Sequence, residues 1–168
     1  MSDNALFNDE NWQLMTTGQW YQTNSKVLAS FRREIKRQCQ QFNQAQGERR
    51  KLLQRALLPN VEAVIGSHFA SDYGFQIKSD GIFTAGEFLT ILDGASVKIG
   101  VDTIIGDGVV ITSVEHHKSP QARLQGWQKA SPVIIGNRVT IGNGVTILPG
   151  AVIADDGVIK DGEIVGRR

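Results

Sequence analysis

The chain carries three histidines, and two of them, His116 and His117, stand side by side in a polar stretch. An imidazole has an ordinary pKa of about 6.5, so near neutrality it can take a proton from a hydroxyl as the oxygen attacks an electrophile. A tandem pair in a polar loop also reads as solvent-exposed and idle, and residue type alone leaves both readings open. The single thiol, Cys39, is a poor nucleophile on position, because it falls on the apolar side of a helix described below. A centre of three histidines would need the remote His68 to join two rings on adjacent residues, which cannot easily point at one ion. No catalytic metal is expected, and His68 reads as structural.

The polar stretch interrupts a regular pattern. Ile99, Ile105 and Ile111 are six apart, and Ile135, Ile141, Ile147, Ile153, Ile159 and Val165 continue at that interval. Gly follows at Gly100, Gly106, Gly136 and Gly142. Four residues after the aliphatic position come Thr103, Val109, Val139, Val145 and Ala151, and upstream Ala85, Ile91 and Val97 are expected to hold that same fourth position. A period of six fits neither a helix nor simple strand alternation. It suits a solenoid in which each hexapeptide is a short strand and a turn, three of them closing a triangular coil of about 18 residues. Inward aliphatic residues then stack coil upon coil into one continuous core. The beat stops between Val114 and Ser131, so residues 114–131 read as a loop extruded from the coils, and long loops of this kind are usually functional or disordered.

Residues 1–58 read as a short α-helical segment ahead of a parallel β-helix at 59–168. Leu28, Phe31, Ile35, Cys39 and Phe42 recur at helical spacing from Ser25 to Phe42, with Asn24 or Ser25 as N-cap. A second helix is expected from Glu48 to Leu58, ended by Pro59. Its Arg49, Arg50, Lys51 and Arg55 read as a solvated face or as an anion-attracting patch. Two short helices bury little alone, so the segment must pack on the coils. The net charge is +1, which argues against bulk attraction to nucleic acid or a membrane surface. The polar start lacks the features of a signal peptide, no apolar run is long enough for a membrane span, and one cysteine fits a reducing compartment. A cytoplasmic protein is expected.

Four stretches carry a family likeness. They are Gly18-Gln19-Trp20-Tyr21 with Arg32-Arg33 and Phe42-Asn43, then Asp72-Tyr73-Gly74-Phe75-Gln76-Ile77, then Leu89-Thr90-Ile91-Leu92-Asp93, and Pro132-Val133-Ile134-Ile135-Gly136-Asn137. With the repeat, they make residues 14–168 resemble the galactoside/maltose O-acetyltransferases, whose fold is a left-handed parallel β-helix of hexapeptide repeats. The resemblance implies an acetyl-CoA-dependent transfer to a hydroxyl of a sugar or similar acceptor, direct and without an acyl-enzyme. It also implies a homotrimer with active sites between subunits, and coenzyme A lying in a groove between adjacent β-helices.

The family's catalytic His lies seven residues before an Arg, ten before a Gly and sixteen before the Pro that restarts the coils. Counting back from Arg123, Gly126 and Pro132 gives His116, with His117 where a Pro is usual. The likeness places Asp72, Asp93, Arg123, Trp127 and Gln128 toward the acceptor, and Asn143, Asp161, Gly166 and Arg167 toward the coenzyme, with Lys160 and Arg168 as further phosphate partners. Trp127 reads equally as a stacking platform or a loop anchor. The chain also departs from the family. Three acceptor-binding polar residues fall at Thr23, Gly86 and Gly94, a small residue on the coenzyme path is Asp161, and the family's closing basic helix is absent. An acceptor other than a β-galactoside or maltose is therefore expected. A catalytically weak trimer kept as a scaffold or binding module is the alternative, and an N-acetyltransferase acting on amino sugars differs only in its acceptor.

Overall fold

The computed structural model describes residues 3–167. Three parallel sheets form the faces of a β-solenoid of about five turns. The first face stacks Ala63–Ile65, Phe83–Ala85, Ile104–Ile105, Thr140–Ile141 and Val158–Ile159. The second stacks Ala70–Ser71, Thr90–Leu92, Val110–Thr112, Thr146–Ile147 and Ile164–Val165. The third stacks Ile77–Ser79, Val97–Ile99, Val133–Ile135 and Val152–Ile153. Ile99, Ile105, Ile111, Ile135, Ile141 and Ile147 point inward and are at most 2% exposed. Full burial of each such side chain contributes roughly 1.5–3 kcal/mol.

The coils are not all of one length. Ile141 lies under Ile159, 18 residues on, but Ile65 lies under Ala85 and Ala85 under Ile105, each 20 residues on. Ala85 and Ile91 therefore pair with Ile105 and Ile111 rather than holding the fourth position expected of them, while Val97 keeps that position over Val133. The two extra residues sit at the corner between the second and third faces, at Tyr73–Phe75 and again at Asp93–Ala95. The loop at 114–131 leaves from that same corner one coil later.

Two other corners are held by side-chain ladders. At the corner between the first and second faces, Asp161 Oδ1 accepts the N–H of Asn143, Asn143 Oδ1 that of Asp107, and Asp107 Oδ1 that of Glu87, all at 2.8 Å. At the corner between the third and first faces, Asp155 Oδ1 serves Asn137 and Asn137 Oδ1 serves Val101. Each rung pairs a backbone donor that the turn would otherwise leave without a partner.

The N-terminal segment has four helices: α1 (Asp3–Phe7), α2 (Glu10–Thr16), α3 (Lys26–Gln44) and α4 (Gly47–Leu57). Ser25 is the N-cap of α3, its hydroxyl accepting the N–H of Leu28 at 3.2 Å. Leu28, Ile35, Cys39 and Phe42 form its buried side. The polar first residues were not expected to be helical. Leu6, Trp12 and Met15 bury with Tyr21, Leu28 and Tyr73 in a second small core, and this packing makes α1 and α2 helical.

Candidate active site

The extruded stretch is ordered rather than irregular. Val114–His116 and Trp127–Ala130 form an antiparallel hairpin around the short helix α5 (Pro120–Leu124). A third strand, Trp20–Gln22, comes from the N-terminal segment and pairs with Trp127–Ala130. Register does the positioning: Tyr21 lies opposite Gln128, and Gln128 opposite His116. Directly opposed residues share a sheet face, so the three side chains form one row from core to solvent. Tyr21 is 2% exposed, Gln128 half-buried and His116 exposed. The Tyr21 hydroxyl donates to Gln128 Oε1 at 3.0 Å. Burial raises the Tyr21 pKa far above the ordinary phenol range, so it stays a donor.

Gln128 Nε2 is 3.4 Å from both ring nitrogens of His116. A donor equidistant from both cannot lie along either lone pair. The amide sits against the ring face, steadying the imidazole and leaving its in-plane positions open.

His117 is arranged differently. Its Nδ1 accepts the N–H of Ser119 at 3.0 Å, and its ring lies 4.6 Å from the Trp20 ring. With Nδ1 accepting, the neutral ring carries its proton on Nε2 and has no lone pair to offer a hydroxyl. Neither ring nitrogen of His116 accepts a backbone N–H among the described residues.

Several expected site residues have other duties. Asp93, expected to face the acceptor, is fully buried. Its Oδ1 accepts from the Ser71 hydroxyl and from the N–H groups of Asp72 and Tyr73, clamping one enlarged corner to the next, and its Oδ2 has no partner. Burial pushes its pKa up to about 6. Arg123, also expected to face the acceptor, is exposed and turns back onto its own loop, donating to the carbonyls of His117 and Lys118. Gln128, also expected to face the acceptor, is spent on Tyr21 and the His116 ring. Trp127 is half-buried and donates its indole N–H to Gln125 Oε1.

Asp72 is half-buried, and burial raises its pKa against the pull of Arg32. Arg32 donates to the Tyr73 hydroxyl at 3.0 Å and to the Thr23 carbonyl at 2.6 Å. The two expected polar positions that hold glycine have a steric cause. A Cβ at Gly86 would collide with the Asp107 carboxylate, and one at Gly94 with Val114 Cγ1.

Asn143 and Asp161, expected to face the coenzyme, lie in one column, and a Cβ at the neighbouring Gly108, Gly144 or Gly162 would meet nothing within 4 Å. The outer side of the corner is therefore clear at these three positions. Asp161 is a rung of the ladder before it is a neighbour of any ligand. Gly166 and Arg167 follow the last strand, Arg167 exposed beside Gly150. Arg168 lies outside the described residues. His68, read as structural, is exposed and stacks on Phe88 at 4.3 Å. No group of three or more metal-type side chains gathers among the described residues.

A parallel solenoid with an ordered, histidine-bearing loop is the architecture of a hexapeptide-repeat protein. Residues 14–62 match the maltose acetyltransferase hexapeptide capping motif. A maltose O-acetyltransferase from Clostridium difficile 630 superposes with a TM-score of 0.85 at 30% identity, over 92% of this chain and 86% of that one. A galactoside acetyltransferase in complex with coenzyme A superposes with a TM-score of 0.79 at 25% identity, over 92% and 80%. The chain belongs to the maltose/galactoside O-acetyltransferase family. Nodulation protein L of Rhizobium leguminosarum bv. viciae is 39% identical over 85 residues, covering 51% of this chain, and the chain spans 45% of that relative's length.

Tyr21 and Gln128 show what sequence reasoning missed about the surroundings of His116. Tyr21 lay within a quoted motif, but only the three-strand register reveals its tie to His116.

Proposed function

We propose that the protein is an acetyl-CoA-dependent O-acetyltransferase with His116 as general base. One observation carries the reading: a sheet built from two distant segments holds His116 exposed, with its ring face braced and its in-plane nitrogen positions open. One ring nitrogen takes the proton of the acceptor hydroxyl as that oxygen bonds to the thioester carbonyl carbon. Collapse of the tetrahedral intermediate breaks the C–S bond, and the proton passes from His116 to the leaving thiolate. Cys39 takes no part, since it is buried and its thiol is pushed up to about 11 by burial. The acceptor is a sugar or similar hydroxyl compound, and the open corner at Asn143 and Asp161, with Arg167 beyond it, receives the coenzyme.

The working form is a homotrimer. Val64, Ile104 and Val158 on the outer side of the first face are 65%, 56% and 70% exposed and alternate there with Thr84 and Thr140, a partly apolar face that association would cover. Release of free coenzyme A from acetyl-CoA, measured across a panel of sugars and other hydroxyl compounds, tests the activity. Turnover with some acceptor is expected, and acetyl-CoA inert with every acceptor would overturn the reading. Sedimentation tests the trimer, and a monomer at micromolar concentration would overturn that part.

A further inference from the structure

A groove of about 440 Å³ runs between α3 and the second face of the solenoid. Its helix wall is Ala29, Arg32, Arg33 and Lys36, spaced as one stripe of α3, and its coil wall includes Ser71, Asp72 and Leu92. Three cations face a single carboxylate. Arg32 is already committed to Tyr73 and Thr23, so it serves the fold. Arg33 and Lys36 are exposed, and neither has a hydrogen bond or ion pair among the described residues. The other cation of this stretch, Arg37, is paired with Glu34 away from the groove. Two unpaired cations on the wall of a concave site leave a positive potential there that attracts an anionic ligand.

The groove borders the His116 sheet. Leu92 stands in ladder register with Thr112, and Thr112 Oγ1 hydrogen-bonds to Val114 where the strand of His116 begins. From the other side, the Thr23 carbonyl that anchors Arg32 lies two residues after Tyr21, the root of the Tyr21–Gln128–His116 row.

We infer that the acceptor is an anionic sugar, its carboxylate or phosphate held by Arg33 and Lys36 while Asp72 receives one of its hydroxyl groups. The inference rests on the acetyltransferase reading and gives it a substrate class. A neutral sugar would leave Arg33 and Lys36 without a counter-charge.

The test is direct binding to the full chain without acetyl-CoA, using D-glucuronate, D-glucose 6-phosphate and D-glucose as probes. At least one anionic probe should bind about ten-fold or more tighter than D-glucose. Charge-assisted hydrogen bonds in a half-open groove have about that strength. Whichever anion binds tells carboxylate from phosphate. The double variant Arg33→Gln/Lys36→Gln should lose that preference, and Arg49→Gln, on another helix, should keep it. Both substituted side chains are exposed, and an unchanged urea midpoint would show that the double variant folds. Equal affinity for all three probes, no binding of either anion, or a preference surviving in the double variant would overturn the inference. So would a loss appearing in the KM for acetyl-CoA, which would assign the groove to the coenzyme. Anion binding without acetyl transfer to any acceptor would sink the acetyltransferase reading alone, whereas turnover of neutral sugars only would sink the anionic acceptor alone.

Discussion

Asp93→Asn isolates the one carboxyl that is fully buried with an unpartnered oxygen among the described residues. Burial raises Asp93 from its ordinary 3.8 to about 6, against the Tyr73 N–H and the Ser71 hydroxyl, which favour the ion. Below about pH 4 the group is protonated in both folded and unfolded chains and makes no difference to stability. As pH rises from about 4 to 6 the unfolded chain ionises first, so stability is lost. Above about 6 the cost is complete, about 3 kcal/mol for about two units of displacement. The asparagine variant keeps an oxygen for the three donors that Oδ1 accepts. It places an NH₂ where Oδ2 lacked a partner, which costs roughly 1–3 kcal/mol at any pH. The variant should therefore be less stable than wild type at pH 4 and about as stable, or more so, at pH 7. Urea unfolding of both proteins at the two pH values reads the difference, and the chain's other carboxylates cancel in it. A difference that stays constant with pH, or one that moves in favour of wild type as pH rises, would refute the argument that burial dominates this group.

Tyr21→Phe removes the donor to Gln128 Oε1 and loosens the brace on His116. It should cost about 1 kcal/mol of stability and lower kcat on the order of five-fold, with little change in KM; a KM effect alone would place Tyr21 at the substrate instead. Gly94→Ala drives a methyl into Val114, two residues before His116, and should destabilise by about 1–3 kcal/mol while reducing turnover. An unaltered urea midpoint would contradict that. Cys39, buried and pushed up to about 11, should resist iodoacetamide at pH 8 until the chain is unfolded, as mass spectrometry would record. Rapid labelling of the native protein would show the α3 packing to be looser than described.

The repeat from Ile99 onward was legible in the sequence because its inward aliphatic residues recur at every sixth position on either side of the loop. The phase of Ala85 and Ile91 was not, because two extra residues at a corner leave no mark except a turn that any polar pair can make. Counting from Arg123, Gly126 and Pro132 picks out His116, while the backbone N–H that His117 Nδ1 accepts from Ser119 leaves no mark in the spacing. Asp93 shows a different limit. A carboxylate in a polar motif reads as a ligand contact, and only the enlarged corners reveal that it clamps one coil to the next. α1 and α2 escaped notice because their helicity comes from the tertiary burial of Leu6, Trp12 and Met15 rather than from a long periodic face. The glycines at 86 and 94 marked missing polar groups in the sequence, while Asp107 and Val114, which claim that space, lie many residues away.

The most direct measurement is coenzyme A release by wild type, His116→Ala and His117→Ala in parallel, with the best acceptor from the panel. The account predicts a loss of about 10²–10⁴-fold in kcat for His116→Ala, as expected on removal of a general base, and far smaller loss for His117→Ala. Unchanged turnover in His116→Ala, or the larger loss in His117→Ala, would contradict it.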